Sequence, residues 1–84
     1  MAESWEIQIH RQVNTVVYTL PKDFAQPIRN KLYELRQNPY PTGHRLIGGF
    51  EDVYAVTVVD HTIVYQVLEK AGIVRVLRVR LNNS

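Results

Sequence analysis

The sequence predicts an α+β fold with the element order β-α-α-β-β-β-β, two amino-terminal helices packing on one face of a mainly antiparallel sheet. Three observations lead to it. Residues 53–59, 62–68 and 73–80 are apolar runs rich in β-branched residues and separated by short turn signals, the pattern of a β-meander. Val13, Val16, Val17 and Leu20 recur at helical spacing, as do Phe24, Ile28, Leu32 and Leu35. Trp5, Ile7 and Ile9 alternate with Glu6, Gln8 and His10, which is the period of a half-buried strand.

After that first strand, Val13 to Thr19 presents a conflict. Its β-branched content favours a strand, whereas its apolar spacing of i, i+3, i+4 and i+7 favours a helix. The periodicity is the stronger signal and predicts a helix. Pro21 interrupts it, and a second helix follows through Leu35. Pro27 fits if that helix begins there with proline at its first position, or if the turn before it bends. Asn38-Pro39-Tyr40-Pro41-Thr42-Gly43 then stops the helix and forms a loop. The later strands are joined tightly enough to be antiparallel neighbours. Val13, Val16, Val17, Leu20, Ile28, Leu32 and Leu35 should bury against them, with Trp5 in the core, leaving the opposite sheet face open.

The chain has 84 residues, 45% of them hydrophobic, which supports one domain over residues 1–84 with a single small core and no large internal substrate cavity. The absence of cysteine excludes disulfides and thiolate metal sites. His10, His44 and His61 lack paired ligand spacing, so neither a metal nor a cofactor is expected. The start, Met1-Ala2-Glu3-Ser4, has no basic region followed by an apolar one, and no apolar segment approaches the roughly 20 residues that span a bilayer. A cytoplasmic protein without membrane association is expected. A net charge of +2 is a weak guide to partners, so local clustering has to carry any such argument. The cluster is Arg75, Arg78 and Arg80 on the last strand, where guanidinium groups on a rigid sheet suit a phosphate backbone or an acidic peptide. Strict alternation puts Arg78 and Arg80 on one face with Val74 and Val76, and Arg75 on the other with Ile73, Leu77 and Val79.

The succession Ile28-x3-Leu32-x2-Leu35-x2-Asn38-Pro39, Arg45-Leu46-x-Gly48, Val53-Tyr54, Ile63-Val64-Tyr65-Gln66-Val67 and Val76-Leu77-Arg78-Val79 resembles the RelE/ParE toxins of bacterial toxin-antitoxin systems. It covers nearly the whole chain. The resemblance implies a compact sheet with two amino-terminal helices and a cognate antitoxin that wraps the toxin. In the RelE branch it implies a ribonuclease that enters the ribosome and cuts mRNA; in the ParE branch, a poison of DNA gyrase. The chain also departs from the messenger-cleaving pattern. Ala55 and Thr57 stand where basic residues are frequent, and Thr62 where arginine is. Arg80-Leu81-Asn82 replaces a Gly-[His/Lys]-Arg segment, with no later tyrosine or histidine.

Metal-independent RNA cleavage needs an acceptor for the 2′-hydroxyl proton, a cation for the developing phosphorane charge and a donor for the leaving oxygen. The residues left to meet that demand are His61, Tyr54, Arg78 and Arg80 as catalytic candidates, with Arg45, Arg75, Arg78 and Arg80 holding phosphate. Each has an ordinary reading as well: His61 as a polar hairpin-tip residue beside Asp60, Tyr54 and Tyr65 as packing groups, and the arginines as solvated strand charges that guard against aggregation. The expectation taken forward is a RelE-like mRNA interferase that inhibits translation. The alternative is a ParE-like gyrase inhibitor, or a cleavage-deficient relative that binds an antitoxin. A plain nucleic-acid-binding domain is disfavoured, because adjacent strands lack surface aromatics for base stacking.

Overall fold

A computed structural model describes residues 5–49 and 51–82; the reading of Met1 to Ser4 as lacking a leader falls outside them. The element order is β1 (Glu6–Ile9), α1 (Arg11–Thr19), α2 (Lys22–Gln37), β2 (Arg45–Leu46), β3 (Val53–Val58), β4 (His61–Leu68) and β5 (Ile73–Leu81). The strands form one five-stranded sheet in the order β1-β5-β4-β3-β2. The meander β2 to β5 is antiparallel, and β1 closes it at one edge by pairing parallel with β5. The predicted α+β arrangement is therefore the observed one.

Periodicity decides α1 in favour of helix, as the spacing predicts. Its start is fixed by His10, whose Nδ1 accepts the Gln12 amide at 3.1 Å and so satisfies one of the free N–H groups of the first turn. Pro21 both ends the segment after α1 and caps α2, which begins at Lys22 with Asp23 in its first turn and Arg36 in its last, each complementing the helix dipole. Pro27 lies inside this helix rather than at its start. Of the two ways in which Pro27 could fit, a helix beginning there is therefore excluded: Ala25, Ile28, Leu32 and Leu35 are all buried, and that continuous apolar stripe outweighs one missing amide hydrogen bond.

The core joins Val13 and Val17 of α1 and the α2 stripe to Val56, Ile63, Tyr65, Val67, Val74, Val76 and Val79 of the sheet. Trp5 and Leu20 are half-buried and pack against it. Val16, expected in the core, is 37% exposed, on the flank of α1 that borders an open cavity beside β5. At the far end of the same sheet face, Tyr40, His44, Tyr54 and Tyr65 form a chain of aromatic contacts with ring centroids 5.4 to 5.9 Å apart. The buried Tyr65 hydroxyl donates to the Pro39 carbonyl at 2.7 Å, and the Tyr40 hydroxyl donates to Glu69. No helix among the described residues is long and apolar enough to cross a membrane.

Two features lead to stability predictions. The β3–β4 hairpin turns through Val59 and Asp60, with φ of 41° and 64°, a two-residue turn that suits asparagine, aspartate or glycine and strains a β-branched residue. Val59→Asn should raise the unfolding free energy by about 1 kcal/mol in urea denaturation. Burial first, and then the nearby Tyr54 phenol, push the Tyr65 pKa up to about 12. An acid whose folded pKa is raised contributes stability that is complete below its unfolded value and is lost as pH rises toward the folded one. Stability should therefore fall between about pH 10 and pH 12, by about 1.4 kcal/mol per pH unit from this group. Tyr65→Phe should cost about 1–3 kcal/mol at neutral pH by stranding the Pro39 carbonyl, and should flatten the alkaline decline.

Candidate nucleic-acid interface

Side chains of directly paired residues share a face, so the strand register assigns every strand position to one side of the sheet. Ile63 pairs with Val56 and Val79, and Val67 with Val74, on the helix-covered side. Thr62 pairs with Thr57 and Arg80, Val64 with Ala55 and Arg78, and Gln66 with Val53 and Arg75, on the uncovered side. The expected split of the arginines between two faces is therefore corrected. Val64 pairs with Arg78 but Tyr65 with Val76, a register shift that leaves Leu77 as an extra residue in β5. This β-bulge turns the strand by one position, so that Val79 continues the inward side of Val74 and Val76 while Arg78 and Arg80 join Arg75 outside.

Arg45 completes the set. It pairs with Ala55, Ala55 with Val64, and Val64 with Arg78, giving a row across four strands with an arginine at each end. At the usual strand spacing the two end positions lie about 14 Å apart, too far to share one phosphate and suited to a chain laid across the strands. Ala55 is buried between them, its small side chain lying below those of its neighbours. The next row holds Thr57, Thr62 and Arg80, with the Thr62 hydroxyl donating to Asn82 Oδ1. On the other side Arg75 Nε donates to Gln8 Oε1 at 3.3 Å, and Gln8 Nε2 donates to Glu6 at 3.2 Å. Among the described residues the one ion pair joins Lys31 and Glu34, so no carboxylate neutralises Arg45, Arg78 or Arg80.

His61 and Tyr54, expected to supply proton transfer beside these arginines, lie across the sheet from them. His61 is 3% exposed, its Nδ1–H donating to the Val59 carbonyl at 2.9 Å and its ring 5.4 Å from that of Phe24. The hairpin-tip reading fails for the same reason: with a two-residue turn, His61 is already the first inward residue of β4. Tyr54 is half-buried within the aromatic chain beside Tyr65. Among the described residues no three histidine, aspartate or glutamate side chains converge to hold a metal ion. The uncovered face can thus bind anions and stabilise negative charge, but its cations are guanidinium groups, which remain protonated and cannot act as bases.

Two contributors went unread in the sequence. Gln8 holds Arg75, and its outward place on the first strand was visible in the alternation of residues 5 to 10. His10 lies with Gln12, Arg78 and Arg80 around a cavity of about 370 Å³ at the sheet edge. No local pattern announces that contact, because it joins residues far apart in the chain.

No family model and no curated protein matches the sequence. Solved structures do match the fold. The archaeal RelE–RelB complex of Pyrococcus horikoshii aligns with a TM-score of 0.85 at 21% identity, over 96% of this chain and 98% of that one. The isolated Escherichia coli RelE toxin aligns at 0.83 and 19% identity, over 96% and 87%. The toxin-antitoxin complex RelBE2 of Mycobacterium tuberculosis aligns at 0.79 and 14% identity, over 95% and 100%. Two helices on a mixed five-stranded sheet, with the uncovered face carrying its arginines, give this chain the fold of the RelE toxins.

Proposed function

We propose that this protein is the toxin of a toxin-antitoxin pair and acts as a RelE-type, ribosome-dependent mRNA interferase in the cytoplasm. The observation that carries the reading is the set of arginines without carboxylate partners, gathered on the uncovered face of a RelE-like sheet. An RNA strand laid along the Arg45–Ala55–Val64–Arg78 row places a phosphate at each end, with Arg80 about 7 Å further along β5 from Arg78. In the reaction the 2′-oxygen attacks phosphorus, forming the P–O2′ bond as the P–O5′ bond breaks, and leaves a 2′,3′-cyclic phosphate and a 5′-hydroxyl. Arg78 and Arg80 stabilise the charge that grows on the phosphorane oxygens. The side chains in the Arg80 row are Thr57 and Thr62, the latter bonded to Asn82, and none of them is a base, so a group of the target assembly or a water takes the 2′-hydroxyl proton and a second one delivers a proton to the leaving 5′-oxygen. That division of labour accounts for a nuclease that works only on the ribosome.

The antitoxin fits the opposite side of the molecule. A groove of about 690 Å³ runs between α1, α2 and β1, with Ile7, Ile9, Val17 and Leu32 along it. Tyr18 and Tyr33, 84% and 64% exposed, border it, and Arg29 and Arg36 are its charged residues. An apolar groove edged by cations and free of carboxylates suits an amphipathic segment with acidic residues. The Pyrococcus horikoshii and Mycobacterium tuberculosis neighbours were solved as toxin-antitoxin complexes, which supports a protein partner of this kind.

Cleavage of mRNA on purified programmed ribosomes tests the reading. Arg78→Gln with Arg80→Gln should lower the cleavage rate by about 100-fold, since each charge-assisted hydrogen bond is worth about 1.5–3 kcal/mol, while stability changes by no more than about 0.5 kcal/mol. Full-rate cleavage by the folded double variant would remove the arginine site. Growth arrest with DNA damage and intact mRNA would instead favour a topoisomerase as target. For the partner, Arg29→Glu with Arg36→Glu should weaken antitoxin binding at least about tenfold in calorimetry without changing cleavage.

A further inference from the structure

The last ladder pair of β4 and β5 joins His61 to Leu81, and the chain continues its hydrogen bonding one residue further. The Asn82 backbone N–H donates to the Asp60 carbonyl at 2.7 Å, which ties the end of β5 to the β3–β4 turn. The Asn82 side chain meets the Thr62 hydroxyl. Thr62 pairs with Thr57 and Arg80 on the uncovered face, so Asn82 joins that face next to Arg80, about 7 Å further along at strand spacing.

This contact gives the amide one orientation. Thr62 Oγ1 and Asn82 Oδ1 are 2.5 Å apart, within the range of an O–H···O bond and short of that of an N–H···O bond, so the hydroxyl donates and the amide oxygen accepts. An asparagine free to turn over can present an acceptor or a donor at the same place. Here Oδ1 is taken up by Thr62, and the exposed Asn82 presents Nδ2–H, which has no acceptor among the described residues. Thr62, its one proton committed, cannot donate to anything else. Beyond the arginine row, this end of the face therefore offers an incoming group the hydrogens of Arg80 and Asn82.

We propose that Asn82 reads a nucleobase beside the cleaved phosphate, favouring a keto base, uracil or guanine, over an amino base, cytosine or adenine, and that Thr62 is the positioning residue that makes it selective. The inference rests on the RNA-cleaving reading, in which Arg78 and Arg80 hold the reacting phosphate. A base stands off its phosphate by one sugar, and Asn82 stands one strand step beyond Arg80 on the same face. On the other side of the arginine row Arg75, Gln8 and Glu6 bond one another instead. Uracil O4 and guanine O6 accept the Nδ2 hydrogen, whereas the exocyclic amino groups of cytosine and adenine meet it donor to donor and leave both groups unpaired. An asparagine free to turn would serve either class; the bond from Thr62 separates them.

Ribosomes programmed with messages that differ in one base, uracil or cytosine, at either position flanking the cleaved phosphate test the inference. The two pyrimidines match in size and differ in a keto or an amino group at the exposed edge. At one of the two positions the parent should cleave the uracil message about tenfold faster, in kcat/KM, than the cytosine message. Asn82→Ala and Thr62→Val should bring that ratio close to one, and Thr62→Ser, which keeps the hydroxyl, should preserve it. A merely structural change lowers both rates together and leaves their ratio alone. If the parent cleaves both messages equally or prefers cytosine, or if the preference survives Asn82→Ala or Thr62→Val, the inference is overturned while the RNA reading stands. A Thr62→Ser variant that behaves as Thr62→Val overturns the role of the hydroxyl. Cleavage of neither message removes the RNA reading, and the inference falls with it.

Discussion

The structure depends on the extra residue at Leu77. Strand β5 has to supply three inward valines to the core and three outward arginines to solvent, and strict alternation cannot do both across Ile73 to Leu81. Without the bulge, Arg78 and Arg80 would sit on the side of Val74 and Val76, beneath α1. Burying two unpaired guanidinium groups costs several kcal/mol each, comparable with the whole net stability of so small a domain. One inserted residue removes that conflict. The β1–β5 ladder ends at Val76, directly before the bulge, where the chain leaves β1 through the His10 cap into α1. Past that point the edge of β5 is open, and a cavity lies there between His10, the partly exposed Val16 and Leu77. A single local irregularity thus orders the arginines and stands where the open edge begins.

Much of the fold was legible because its cues are local and repeated. The helical spacing of Val13, Val16, Val17 and Leu20 outweighed their strand-like composition, and the meander announced itself by turns between β-branched runs. Pro27 misled because proline rules describe a helix in isolation, whereas α2 is held by the buried stripe on both sides of that residue. The arginine faces were misread for a different reason. Period-2 logic has no place for an insertion, although the valines at 74, 76 and 79 carry the signal: a step of two followed by a step of three, opposite a β4 that alternates without interruption. His61 was legible by the same count, lying two residues before Ile63 on the buried side, but its neighbour Asp60 drew attention to the turn. The parallel β1–β5 pairing and the position of His10 beside Arg78 and Arg80 were not legible, because they join segments more than sixty residues apart and no local pattern encodes that distance.

The sheet also separates two kinds of chemistry. On its covered side lie the aromatic chain and the buried histidine, whose hydroxyl and ring nitrogen are committed to backbone carbonyls. Burial holds the phenols of Tyr40 and Tyr65 above their usual ionisation range, which suits groups that keep their protons and serve as structural donors. On the uncovered side lie cations that never lose theirs. Neither side pairs a movable proton with an oxyanion site, and the two sets cannot meet through a packed core. The proposed RNA site thus asks of the arginine face only what guanidinium groups do, hold and stabilise negative charge, and leaves the proton steps to the bound assembly.

α1 lies between the apolar groove and the edge cavity and borders each with a different part of its circumference. Asn14, Val17 and Tyr18 border the apolar groove, while Gln12, Val13 and Val16 border the edge cavity. In a helix of nine residues this is possible because 3.6 residues per turn send neighbours in sequence to well-separated directions. Such an arrangement uses the surface of a small domain fully: the buried stripe at Val13 and Val17 anchors the helix, and both flanks of that stripe stay available. The proposed partner groove and the edge cavity therefore border the same rigid element without sharing the same α1 residues. Charge changes at Arg29 and Arg36 can for that reason be read separately from those at Arg78 and Arg80.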